Sequence, residues 1–113
     1  MTRYDFLLDT YDTERLKTLS VWSQFADEQM EFRAAPLART PHEQMVHQCV
    51  SEDVWMKRML GIDSGLAPLP SVETRQAFLA HYAEASARRL AILRTQSESW
   101  FEETTSFFDV ERP

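Results

Sequence analysis

The sequence predicts an all-α protein, an antiparallel up-down helical bundle built from three long helices. Three observations carry this reading. Apolar residues recur at helical spacing in three long segments, and no stretch of useful length alternates as a strand does. Clear start and stop signals bracket the second segment. With two glycines and five prolines in 113 residues, the chain has too few turn formers for a turn-rich β architecture. A chain of this length builds one core, so residues 1–113 are read as a single helical domain.

The first helix is expected over about residues 4–31. One stripe holds Tyr4, Leu8, Tyr11, Trp22 and Phe25. A second, in the latter half, holds Leu16, Leu19, Ala26 and Met30. Two stripes imply a helix covered on more than one side. The connector "RAAPLART" ends in a start signal, because Thr40 can cap, Pro41 suits the first helical position and Glu43 stands where a capping box places its acid. The second helix, about 41–60, then meets Gly61, the left-handed residue that closes many helices.

The proline-rich loop "IDSGLAPLP" leads to the third helix, about 72–97. Ser71 is the expected cap, with Glu73 in the first turn. Arg88, Arg89 and Arg94 lie toward the end, as the macrodipole favours. The tail, residues 98–113, carries Trp100, Phe101, Phe107 and Phe108, too many large rings to leave in water. It is expected to fold back on the bundle or to enter a partner.

Composition narrows the functional classes. The formal charge is −6 and the basic residues are scattered, whereas a nucleic-acid groove needs a massed basic face, so nucleic-acid binding is not expected. No apolar run is long enough to span a bilayer, and the acidic start "MTRYDFLLDTYD" is unlike a signal peptide. No membrane association is expected, and the location is read as cytoplasmic. A single cysteine cannot make an internal disulfide, which fits a reducing compartment. Glycine-rich phosphate loops, nucleophile elbows and paired C-x-x-C motifs leave no trace.

The stretch "TPHEQMVHQCVSEDVWMKRMLGID" holds most of the residues with chemical potential. At about 100° per residue, Met45, Cys49, Glu52, Met56 and Met59 share one arc. His47 falls on a second arc with Val46, Val50 and Val54. The default reading of His47 is a histidine in or at the edge of the core, satisfied by one hydrogen bond. The sharper reading is a metal ligand or general base that the valines keep dry. His42 precedes His47 by five residues and therefore lies about 140° away, so the two cannot chelate one ion from a regular helix. It is read as a solvated first-turn residue, and His81 likewise has a structural default. Glu52 needs a donor, for which an arginine of the third helix is the candidate. Cys49 reads as a small packing residue.

The segment "MVHQCVSEDVWMKRMLGID" resembles the second helix of the DinB/YfiT-like proteins: a histidine, a glutamate five residues on, a tryptophan and a terminal Leu-Gly. The likeness continues through "YDFLLDTYDTERLKTL", "LPSVETRQAFLAHYAEASARRLAIL" and "FFDVERP", and so covers nearly the whole chain. The resemblance implies a four-helix bundle, usually dimeric, with a divalent metal, often nickel or zinc, held by three histidines. His47 matches the ligand from helix two. The other two ligands belong to helix four, which "FFDVERP" introduces, so they would fall beyond Pro113.

The expectation is therefore a metal site incomplete within one subunit, since one ligand does not hold a catalytic ion and three is usual. A homodimer or larger assembly is expected to cover the open apolar face. Family members include thiol-dependent transferases and proteins classed as hydrolases, so the resemblance implies a small-molecule substrate and, in the transferase case, a thiol cosubstrate. Two functions follow from this reading. One is a metal-dependent enzyme with His47 as a ligand and Glu52 behind it. The other is a non-catalytic helical dimerisation or interaction module.

Overall fold

Local signals decide most of the helical boundaries. In a computed structural model that describes residues 4–97 and 99–101, α1 spans Asp5–Gln24, α2 spans Pro41–Trp55 and α3 spans Arg75–Arg94. Thr40 opens α2 as expected. Its hydroxyl accepts from the Glu43 amide at 3.0 Å, and its own amide donates to the Glu43 carboxylate at 2.9 Å. Past Trp55 the helix widens into one π turn, Met56–Leu60, and Gly61 closes it at φ +68°. A side chain at that φ would be strained, which is why glycine ends the helix there.

Two boundaries differ from the sequence reading. The first helix stops at Gln24 because Phe25 and Ala26 turn extended, and the Gln29 side chain then accepts from the Ala26 amide at 2.7 Å to start a short 3-10 turn, Asp27–Gln29. Met30 is still buried, but it reaches the core from this turn and not from a helix. Leu16, assigned to a second covered stripe, is half exposed, so α1 is covered on one side only among the described residues. The third helix starts at Arg75 and not at 72. Thr74 is the residue in extended geometry whose hydroxyl accepts from the Ala77 amide at 3.1 Å, so it replaces Ser71 as cap and leaves Glu73 outside the helix.

Among the described residues the core has two apolar clusters. One gathers Leu8, Met56, Ile62, Leu90, Leu93 and Phe101; the other gathers Trp22, Met30, Met45, Cys49, Phe78 and Tyr82. The second cluster combines the end of α1 with the starts of both α2 and α3, and the first combines the start of α1 with both their ends. Hence α2 and α3 run in the same sense and α1 runs opposite to both. The helical-bundle class holds, while strict alternation does not. Residues 62–74 provide the return path, long enough at about 3.3 Å per extended residue to cross back along a helix.

The tail's first rings fold back, as one of the two expectations had it. Phe101 is buried and stacks on Tyr4 with centroids 5.2 Å apart, and Trp100 meets Phe101 edge-on at 5.0 Å. Phe107 and Phe108 lie outside the described residues.

Between the two clusters, every helix contributes polar groups to one layer. Arg89 of α3 is buried and faces Asp53 at 3.5 Å and Glu52 at 3.8 Å, both on α2. Arg15 of α1 donates to the Ser86 hydroxyl at 2.8 Å and to the Ala83 carbonyl at 3.1 Å. This belt fixes the axial register of the three helices, since sliding any one of them would strand a desolvated charge.

Candidate functional site

The packing of α2 determines which of its side chains can act. Met45, Cys49, Asp53 and Met56 point into the bundle and are buried. His47, Ser51 and Val54 point the other way and are exposed. His47 is therefore not a core histidine. Of the two default placements the core one fails, because the described helices cover α2 only on its methionine side and leave the valines at the margin.

His47 stands on a crest between two open grooves. The groove toward α1 has a volume of about 350 Å³ and is lined by Lys17, Thr18, Val21, Gln44 and Gln48 together with His47. The groove on the other side, about 510 Å³, takes in Arg39, His42, Val46, Val50 and Glu73 with the same imidazole. The His47 Nδ1 lies 3.3 Å from the Ser51 hydroxyl, one helical turn on. Nothing among the described residues bonds its Nε2. One nitrogen is steadied and the other is free for a ligand or a proton.

The remaining candidates are committed elsewhere. Glu52 receives a hydrogen bond from the Tyr11 hydroxyl and another from Gln48 Nε2 at 3.1 Å, and faces Arg89. The helix-three arginine expected for it is Arg89. Burial, then the neighbouring Glu52 charge, raises the pKa of Tyr11 well above the ordinary tyrosine range, and the same two causes raise that of Tyr82. Burial pushes the Cys49 thiol up to about 12, so it stays protonated and unreactive at neutral pH. The His81 Nε2 lies 3.2 Å from the Pro68 carbonyl and ties α3 to the crossing loop.

His42 is not simply solvated, contrary to the sequence reading. Its Nδ1 meets the Glu31 carboxylate and its Nε2 meets that of Glu73 at 2.7 Å. Hydrogen bonds to Glu73 and then Glu31 raise its pKa above the usual histidine value. Asp53 went unremarked in the sequence, yet it is among the most buried charged groups and also pairs with Lys57 at 3.2 Å. Its spacing, four residues after Cys49 and four before Lys57, was the available signal.

Among the described residues, no three His, Cys, Asp or Glu side chains come together in a group able to hold a metal ion. The two nitrogens of His42 face opposite ways onto separate carboxylates, so that trio does not converge on one point. The described residues offer single imidazoles and not a ligand set, so by themselves they do not fit a metal centre. No helix of the described residues is long and apolar enough to cross a membrane.

A family model described as the DinB superfamily matches residues 10–112. No curated protein and no solved structure matches the chain.

Proposed function

Because the chain belongs to the DinB superfamily, we propose that His47 is one ligand of a divalent-metal centre, nickel or zinc, completed by side chains outside the described residues. The reaction class that goes with it is hydrolysis or thiol-dependent transfer on a small molecule, in the cytoplasm. Bound there, the metal would supply an activated water or thiol. The observation that carries the reading is the imidazole itself, exposed on a crest with Nε2 unbonded and Nδ1 3.3 Å from the Ser51 hydroxyl. When Nδ1 donates to this hydroxyl, Nε2 keeps its lone pair and can coordinate. Glu52 does not serve as a direct partner, since its oxygens are occupied within the belt.

The test is metal content. Protein passed over nickel or zinc and desalted should retain metal, His47→Ala should lose it, and Ser51→Ala should retain less than wild type. Equal and negligible metal in all three would end the metalloprotein reading.

A second reading has its own support. Phe6, Leu16, Val21 and Trp55 are exposed to between 47% and 62% on α1 and α2, which favours an assembly module that buries them in a homodimer. Sedimentation of a stable monomer at micromolar concentration would remove that reading.

A further inference from the structure

His42 sits where three segments of the chain converge. It lies in the first turn of α2, Glu31 lies just after the 3-10 turn, and Glu73 lies just before α3. The backbone closes the same junction, with the His42 amide donating to the Met30 carbonyl at 2.9 Å. The ring itself packs against Phe78 of α3 at 5.8 Å between centroids. Its two nitrogens meet two different carboxylates. A neutral imidazole carries one N–H and one lone pair, so it can donate to only one carboxylate and would turn its lone pair on the other. Both contacts are attractive only when the ring is an imidazolium.

Two of the other cations at this end are already engaged. Arg33 pairs with Glu43 at 2.9 Å, and Arg75 of α3 pairs with Asp27 at 2.8 Å. Arg39, exposed, lines the same groove as His42 and Glu73. Losing the His42 proton therefore leaves Glu31 and Glu73 without the cation that joins them.

We infer that His42 is a proton-operated clasp that holds the 31–40 connector and the 62–74 crossing loop against the start of α2, at the wall of the groove that also holds His47. The sign follows from the charge. The clasp is closed while His42 is protonated and opens as pH rises through its raised value, because the stability it contributes is lost when the proton leaves. Opening frees Glu73, and with it that wall of the groove. The clasp does not depend on whether His47 takes a metal.

Two measurements on the full chain test it. The first is an NMR titration of the His42 ring. Wild type should titrate at higher pH than the same histidine in Glu31→Gln/Glu73→Gln, and an identical midpoint in the two proteins would overturn the clasp. The second is amide exchange of residues 31–40 and 62–74, corrected for the intrinsic rate at each pH. Exchange should quicken about tenfold across the His42 titration, the scale expected for losing a charge-assisted contact, and the step should vanish in His42→Gln. A step of the same size in His42→Gln, or no step in wild type, would overturn the gating.

Discussion

Two charged clusters in this molecule use the same chemistry in opposite settings. In the belt, Arg89 and Asp53 are each about 2% exposed and stand between two apolar clusters. In the clasp, His42 holds Glu31 and Glu73 at the surface, with those carboxylates 73% and 42% exposed. The difference teaches where electrostatics fixes a structure and where it can switch one. A pair out of water cannot lose a partner without leaving a desolvated charge, so the belt acts as a rigid register pin. A surface pair is screened and cheap to break, so its protonation state can change while the fold persists.

The largest effect that would break this contrast is in the belt. Arg89→Ala leaves Asp53 buried with only Lys57 nearby and should cost about 3–5 kcal/mol in denaturant unfolding. A loss below about 1 kcal/mol would mean that water reaches the belt. Next comes Tyr11→Phe, which removes a hydroxyl bonded to the Glu52 carboxylate and should cost about 1.5–3 kcal/mol; an unchanged denaturation midpoint would show that Glu52 is otherwise satisfied.

The clasp should give a smaller and pH-dependent loss. His42→Gln should destabilise by no more than about 1 kcal/mol at acidic pH, and by nothing above the raised His42 value. Denaturation midpoints across that range check it, and a pH-independent loss would make His42 a packing residue. Smallest is His47→Ala on the exposed crest, expected within about 0.5 kcal/mol of wild type.

What the sequence revealed follows the range of the interactions. The Thr40-Pro41-Glu43 start and the Gly61 stop were legible because each is settled within four residues. The methionine arc of α2 was legible from spacing, and so was the need of Glu52 for a helix-three arginine. The clasp was not, because its carboxylates lie 11 and 31 residues from His42 and nothing local marks them. Nor was the parallel course of α2 and α3, which depends on how the 62–74 loop crosses. At the third helix two hydroxyls competed for the cap, and Thr74 holds it while Glu73 serves the clasp instead. For His47, periodicity gave the arc correctly but could not say which arc the other helices would leave open.

His47 is spare to the fold and available to a ligand, and thermal unfolding with and without nickel or zinc tests that most directly. Metal that binds only the folded state should raise the wild-type midpoint, while His47→Ala should unfold at the wild-type apo temperature and gain nothing from metal. An equal rise in the variant, or no rise in wild type at saturating metal, would contradict it.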